Sequence, residues 1–170
     1  MKVTVTAGHG GNDPGATYSG FNERDLMTEL RDIVALKLRD KGVEVSTDGL
    51  KGQNLPLADA LSLVYGRDVA IELHTNAAES TSATGVEVIA LPSHKHIAQK
   101  IAKSIADVLS LRLRGEKGWI DQSRSARGKL GFVSKGGMIV EVFFLSNPYD
   151  LAVYQSKKWL VAQAIADSIV

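Results

Sequence analysis

The sequence contains no cysteine, which excludes disulfide scaffolds, thiolate metal sites and cysteine nucleophiles. No apolar run exceeds four residues, whereas a membrane-spanning helix needs about 20, so we expect no membrane insertion. The first seven residues alternate in polarity instead of forming the apolar block of a secretory signal, which predicts synthesis in the cytoplasm without a signal peptide. A net charge of only +1 is not the basic excess typical of nucleic-acid-binding proteins, so no nucleic-acid partner is expected.

The length and composition that are present fit one globular domain. The chain has 170 residues, against roughly 100–200 per domain, and its hydrophobic fraction of 44% is enough for a sizeable core. The four prolines are scattered at positions 14, 56, 92 and 148, and no linker rich in proline, glycine or serine divides the chain. We therefore predict a single domain over residues 1–170, and we expect a monomer.

Segments of strand and helix character alternate along the chain. Strands are predicted over residues 3–7, 43–45, 68–74, 85–91 and 136–145, and helices over residues 23–41, 55–65, 94–113 and 156–169. The last helix is predicted to place on one face Trp159, Ala162, Ala166 and Ile169. This alternation predicts an α/β fold, in which a mostly parallel twisted β-sheet of about six strands is flanked by helices on both faces. In such sheets, functional sites form at the carboxyl ends of the strands.

His9 is the first candidate site residue, because it follows the first predicted strand between Gly8 and Gly10. Glycines at such a position let the backbone turn sharply and let a ligand approach closely. A phosphate loop is disfavoured, since no Gly-Lys-Ser/Thr follows and Asp13 would repel a phosphate. An exposed histidine on this loop suits a metal better than a nucleotide, although a purely structural histidine is the alternative.

Glu23 and His74 are further candidates. Glu23 lies in the first turn of the first long helix, where an acidic residue also complements the helix dipole. His74 ends a predicted buried strand, and the two-residue period of a strand puts Glu72, His74 and Asn76 on the same side. A core histidine bonded to backbone is the alternative for His74.

Glu141 is the sharpest single anomaly, because it interrupts the apolar segment Met138–Leu145. Burying a carboxylate without a partner is costly, so its position predicts a cation, a metal or a shared proton beside it. Carboxylates in apolar surroundings tend to serve as general acids or bases. A structural ion pair with an arginine is the alternative.

A basic segment covers residues 111–136. It holds seven lysines and arginines against two acidic residues, a local charge of +5 that leaves −4 for the rest of the chain. This segment is either a rim that attracts an anionic substrate or simply a basic surface. Its basic residues are Arg112, Arg114, Lys117, Arg124, Arg127, Lys129 and Lys135.

Four motifs together resemble one enzyme family. The segment 8–16 (GHGGNDPGA), then Glu23, then the segment 73–77 (LHTNA), then the segment 140–147 (VEVFFLSN) resemble the zinc-dependent N-acetylmuramoyl-L-alanine amidases of the amidase-3 family. The resemblance spans nearly the whole chain and keeps the order of the motifs. It implies that His9, Glu23 and His74 bind one Zn²⁺ per chain and that Glu141 is the catalytic carboxylate.

The resemblance also implies a substrate and a setting. The implied substrate is bacterial peptidoglycan, cleaved between N-acetylmuramic acid and L-alanine. A chain that begins at Met1 without a signal peptide resembles a phage endolysin acting on the cell wall, or an exported bacterial enzyme if a leader segment has been removed. The alternatives are a zinc peptidase acting on stem peptides and a non-catalytic peptidoglycan-binding module on the same fold.

The sequence departs from the family pattern at three places. Glu72 stands where a small or aliphatic residue is usual, and we expect it to act on His74 or tune the local field. Phe143 stands where glycine is usual, and we expect it to narrow or reshape the cleft. The pair Thr47-Asp48 replaces the usual Thr-Arg.

Overall fold

The structure, a computed structural model, describes residues 1–126 and 128–170. Strands and helices alternate along these residues, as the polarity pattern predicts. The elements in chain order are β1 (Lys2–Ala7), β2 (Thr17–Tyr18), β3 (Phe21–Asn22), α1 (Glu23–Asp40), β4 (Glu44–Thr47), α2 (Leu57–Ser62), β5 (Val69–Asn76), β6 (Glu87–Ala90), α3 (Lys95–Leu109), β7 (Trp119–Asp121), α4 (Gly131–Ser134), β8 (Met138–Phe144) and α5 (Pro148–Ile169).

Within the described residues, six of the strands form one sheet in the order β4-β1-β5-β8-β6-β7. Neighbouring strands run parallel except for the antiparallel pair β6 and β8, which confirms the prediction of a mostly parallel sheet. The remaining two strands, β2 and β3, form a small antiparallel hairpin. No helix within the described residues is both long and apolar enough to cross a membrane.

The two faces of the sheet are covered differently. The long helices α1, α3 and α5 pack on one face, where they bury the main apolar core together with alternate strand residues such as Val5, Leu73 and Val140. Within residues 1–126 and 128–170, the helices on the opposite face are the short α2 and α4, which lie over small clusters around Phe132 and Ile139. Helices therefore flank both faces, as predicted, but the second face stays partly open.

The partly open face carries the polar residues of the strands. Along β5, Ile71 and Leu73 are in the main core, whereas Glu72 and His74 alternate with them and therefore point to the opposite face. The register pairs His74 with Glu141 of β8, so the two residues share that face. The alternation in sequence thus places ionisable groups together at the carboxyl ends of β5 and β8.

The C-terminal helix differs from its prediction. It begins at Pro148 rather than near residue 156, because Asn147 caps it by accepting hydrogen bonds from the backbone N–H groups of Tyr149 and Asp150. Trp159 does not share the buried face of this helix, since 55% of its surface is exposed whereas Ala162 and Ala166 are fully buried.

Candidate metal centre

His9 lies on the loop that leaves β1, in a left-handed backbone conformation with φ of +63°. Glycine is required next to it, because a Cβ on Gly8 would lie 2.1 Å from Cε1 of His74. The backbone at Gly8 therefore packs directly against the imidazole of His74. The close approach that the sequence predicts for these glycines is therefore a contact between the backbone of the His9 loop and the side chain of another candidate ligand, His74.

Glu23 is the first residue of α1 and is almost completely buried. The side chain of Asn22 caps the helix by accepting a hydrogen bond from the backbone N–H of Asp25. The Glu23 carboxylate is held from two sides: Oε2 accepts a hydrogen bond of 3.0 Å from the N–H of Ala16, and Oε1 accepts one of 3.0 Å from the N–H of Thr75. The position of the carboxylate is therefore set by backbone from the loop before β2 and from the end of β5.

His9, Glu23 and His74 converge at the carboxyl ends of β1 and β5. Nε2 of His9 lies 3.1 Å from Oε2 of Glu23, and Nδ1 of His74 lies 2.9 Å from Oε1 of Glu23. One potential ligand atom from each residue lies within 4.8 Å of the others. The structure thus brings together all three residues that the sequence nominates for metal binding.

Three observations show that this cluster fits a metal ion. Nε2 of His9 is buried, and within the described residues its 3.1 Å contact with Oε2 of Glu23 lacks the geometry of a hydrogen bond. A Cβ on Gly15, which has φ of +65°, would lie 2.6 Å from the His9 ring and 2.7 Å from the Glu23 carboxylate, so this space requires glycine. Two imidazoles and one carboxylate are also the donor set of known catalytic zinc sites. The residues present therefore suit Zn²⁺.

The second nitrogen of each imidazole faces another carboxylate. Nδ1 of His9 lies 2.8 Å from Oδ2 of Asp13, and Nε2 of His74 lies 2.9 Å from Oε1 of Glu72. Metal-binding histidines commonly donate their other N–H to a carboxylate, which orients the ring. Both rings in this cluster have that arrangement.

The electrostatics show that the cluster favours positive charge at its centre. Burial lowers the pKa of His74, but hydrogen bonds to Glu23 and Glu72 outweigh burial and raise this pKa to about 10. The contact with the Glu23 carboxylate likewise raises the pKa of His9. For Glu23, burial raises the pKa, but the contacts with His74 and His9 outweigh it, so the pKa is lowered. The carboxylate is therefore ionised and ready to bind a cation.

Glu141 lies next to this cluster. It is almost fully buried on β8, and its backbone pairs in register with His74 on the adjacent strand β5. Its charge also contributes to the raised pKa of His74. The structure thus places the nominated carboxylate beside one of the nominated ligands, and its catalytic role stays a prediction.

A cleft of about 420 Å³ opens beside the cluster, between α2 and the segment that leads into α4. His9, His74 and Glu72 reach its wall together with apolar residues of both segments. Phe143 is not among the lining residues, contrary to the prediction that it reshapes the cleft. A β-bulge between the pairs His74–Glu141 and Asn76–Phe144 turns Phe143 into the core, where its ring stacks on Tyr154 at 4.5 Å.

The sequence analysis missed a buried polar network under the His9 loop. Arg31 of α1 is fully buried and donates hydrogen bonds to Asp48 at 3.1 Å and to Asn54 at 3.2 Å. Asn54 in turn donates to the backbone oxygens of Ala7 and His9. A signal was available, because Asp48 replaces the usual arginine and Arg31 lies in the apolar stripe of α1.

One member of the basic segment reaches the vicinity of the site. Nε of Arg114 lies 2.6 Å from the carboxylate of Glu87, and the guanidinium lies over the ring of Phe144. Glu87 on β6 is in turn the register partner of Glu141. Arg127 of the same segment lies outside the described residues.

Comparisons with known proteins give the family. The profile described as N-acetylmuramoyl-L-alanine amidase (amidase-3) matches residues 3–170. The crystal structure of a Neisseria meningitidis protein assigned as an N-acetylmuramoyl-L-alanine amidase is similar, with a TM-score of 0.92 and 43% identity, over 99% of this chain and 93% of that chain.

Two curated relatives are longer than this chain. N-acetylmuramoyl-L-alanine amidase LytC of Bacillus subtilis is 27% identical over 99% of this chain and 34% of its own length. A Staphylococcus aureus relative named as an autolysin is 28% identical over 99% of this chain and 38% of its own length. The chain therefore spans little more than a third of these relatives. Because the profile covers all but the first two residues, the chain belongs to the amidase-3 family of N-acetylmuramoyl-L-alanine amidases.

Proposed function

We propose that this chain is a zinc-dependent amidase that cleaves the amide bond between the lactyl group of N-acetylmuramic acid and L-alanine in bacterial peptidoglycan. The observation that carries the proposal is the convergence of His9, Glu23 and His74 on one point, with Glu141 on the adjacent strand. The family profile over residues 3–170 and the names of the relatives supply the substrate class.

In this proposal, His9, Glu23 and His74 would hold one Zn²⁺. When bound, such an ion lowers the pKa of its water to about 7 and polarises the carbonyl of the scissile amide. The backbone hydrogen bonds to Glu23 keep the carboxylate in place before the ion binds. The contacts of the outer ring nitrogens with Asp13 and Glu72 orient the two imidazoles.

Glu141 acts as the general base and then as the general acid. It accepts the proton of the attacking water and delivers a proton to the departing nitrogen of L-alanine. The second transfer is needed because an unprotonated amine is a poor leaving group. The position of Glu141 beside His74 and its burial among apolar neighbours support this role.

The proposal extends to the whole chain. Residues 1–170 act as one monomeric catalytic domain, and the cleft of about 420 Å³ beside the cluster accepts part of the substrate. The phage-lysin-like setting stays a prediction that rests on the sequence alone.

Product analysis tests this function. Zinc-loaded protein is incubated with purified peptidoglycan, and the released fragments are identified by mass spectrometry. We expect peptides with a free L-alanine amino terminus and glycan chains that remain intact. New termini within the stem peptide would instead show a zinc peptidase, and binding to the wall without turnover would show a non-catalytic module.

A further inference from the structure

We propose that Glu72 is a positioning residue for the metal centre: its contact with Nε2 of His74 fixes the ring so that Nδ1 faces Glu23 and the ion. This inference rests on the proposed function, because it concerns the affinity of the site for zinc. The inference assigns a role to Glu72, one of the three places at which the sequence departs from the pattern of the family it resembles.

The contact is buried and direct. Oε1 of Glu72 lies 2.9 Å from Nε2 of His74, and the exposed fractions of the two side chains are only 5% and 7%. Within the described residues, this is the one hydrogen bond recorded for the Glu72 carboxylate. Because a buried carboxylate is costly without a partner, the carboxylate and the ring hold each other in place.

The strand geometry makes this contact specific. Glu72 precedes His74 by two residues on β5, so both side chains leave the same face of the sheet. On that face, Thr6 and Ile139 are the register neighbours of Glu72 on the two flanking strands. The hydroxyl of Thr6 donates to the backbone oxygen of Ile71 at 3.4 Å. The neighbours therefore leave His74 as the hydrogen-bonding partner of Glu72.

The contact also selects the tautomer of His74. A neutral imidazole carries its proton on one nitrogen, and the other nitrogen must be unprotonated to bind a metal. The oxygen Oε1 of Glu72 lies within hydrogen-bond distance of Nε2 and can accept from its N–H, so this contact favours the tautomer with the proton on Nε2. The lone pair of Nδ1 then points to Glu23, which is 2.9 Å away.

Asp13 offers an internal comparison, because it makes the equivalent contact with His9. The Asp13 side chain is 64% exposed, and its carboxylate also accepts a hydrogen bond from the N–H of Gly15. Water screens such an exposed pair. We therefore expect a larger loss of zinc affinity when Glu72 is replaced than when Asp13 is replaced.

Zinc affinity measured by competition with a chromophoric chelator tests the role of Glu72. Glu72→Ala removes the contact, and we expect its zinc dissociation constant to rise about 10–100-fold, the range for loss of such hydrogen-bond partners. Glu72→Gln keeps an oxygen that can accept from Nε2–H, so its constant should rise less. The glutamine side chain has nearly the same shape as glutamate. Glu72→Gln therefore also tests the proposal if Glu72→Ala does not fold.

Glu87→Gln is the matched control. Glu87 is a buried glutamate on the same sheet face that contacts Asn76 and Arg114 rather than a candidate metal ligand. The zinc dissociation constant of the Glu87→Gln protein should stay within about twofold of that of the unmodified protein. An equal loss in Glu87→Gln and Glu72→Ala would show a general effect of negative charge and would overturn the proposal.

A spectroscopic readout separates positioning from a merely structural role. In the zinc-loaded protein, ¹⁵N chemical shifts of the His74 ring should show the proton on Nε2 in the unmodified chain. A proton on Nδ1, or unchanged zinc affinity in a folded Glu72→Ala protein, would overturn the inference while leaving the proposed function intact. Failure of the unmodified protein to bind zinc would overturn both.

Discussion

Glu141 is a residue whose role is separable from metal binding, because it lies beside His74 but is not one of the three converging ligands. We expect Glu141→Gln to keep one zinc per chain and to lower kcat by about 10²–10⁴-fold, the usual contribution of a positioned proton donor and acceptor. The zinc content of the purified variant checks the first expectation. The rate at which it releases amino groups from peptidoglycan checks the second.

The outcome for Glu141→Gln can also contradict the assignment. A variant that binds zinc and retains kcat within a factor of about three would show that another group moves the proton. A variant that loses zinc would show that Glu141 belongs to the ligand set instead.

His74 makes the stability of the metal-free protein depend on pH. Burial lowers its pKa, but the contacts with Glu23 and Glu72 raise it to about 10 from its ordinary 6.5. The folded state therefore holds the proton more tightly than the unfolded state. This contribution to the free energy of unfolding is fully present below about pH 6.5 and is lost as the pH rises through about 10.

We therefore expect the Tm of the metal-free protein to fall between about pH 7 and pH 10. His74→Gln serves as the control, since it lacks the titrating group and should show a shallower fall. Thermal unfolding in the presence of a chelator measures both slopes. Equal slopes for the two proteins would contradict the raised pKa of His74.

At the scale of elements, the buried pair of Arg31 on α1 and Asp48 after β4 supports the loop that carries His9. Both side chains are fully buried, and Asn54 links the pair to the backbone of that loop. Burial raises the pKa of Asp48 to about 6 although Arg31 is close, so the pair is fully charged only at higher pH.

We expect Asp48→Ala to lower the free energy of unfolding by about 1.5–3 kcal/mol at pH 8, because it removes a buried charge-assisted hydrogen bond while Arg31 keeps its ion pair with Asp32 at 2.8 Å. Chemical denaturation measures the change. The exposed pair Lys103–Asp107 provides the control, and Lys103→Ala should have a much smaller effect. A loss as small as that of Lys103→Ala would show that Asp32, Asn54 and the backbone oxygen of Leu50 suffice to hold Arg31.

The sequence predicts best the elements that have a long and regular polarity pattern. The two-residue period of β5 places Glu72 and His74 on one face, and the apolar run of β8 marks Glu141 as anomalous. The strands β2, β3 and β7 have only two or three residues, which is too short for a pattern. Their formation depends on pairing with other segments.

Other features could not be predicted because they depend on contacts between distant residues. The partner of Asp48 lies 17 positions away on a helix, and no local pattern reveals the pairing. The bulge in β8 shifts the register after Glu141, so Phe143 enters the core instead of the cleft. Strand periodicity alone would not show that shift. His9 and His74 stand out locally because each is a polar residue at the end of a predicted strand, whereas Glu23 is implied as a ligand only by the resemblance of the four motifs to the amidase-3 family.

At the scale of the whole molecule, the candidate metal centre joins three separate parts of the fold. His9 follows β1, Glu23 begins α1 and His74 lies near the end of β5, so the site exists only when the chain is folded. An ion that binds only the folded state stabilises it by mass action, by about 4 kcal/mol at 1,000 times its dissociation constant.

For a chain of this length, such a gain corresponds to a rise in Tm of roughly 8–16 °C. We expect this rise when zinc is added to the metal-free protein, as measured by calorimetry. His74→Ala should show little response to the same zinc concentration. A response of equal size in both proteins would mean that the stabilising ion binds elsewhere.

Anomalous X-ray diffraction at the zinc absorption edge, on crystals of the zinc-loaded chain, tests the central claim most directly. The account predicts one strong peak per chain at about 2.0–2.2 Å from Nε2 of His9, a carboxylate oxygen of Glu23 and Nδ1 of His74. A peak at any other set of side chains, or zinc held by Nε2 of His74 and Glu72 without His9, would contradict it.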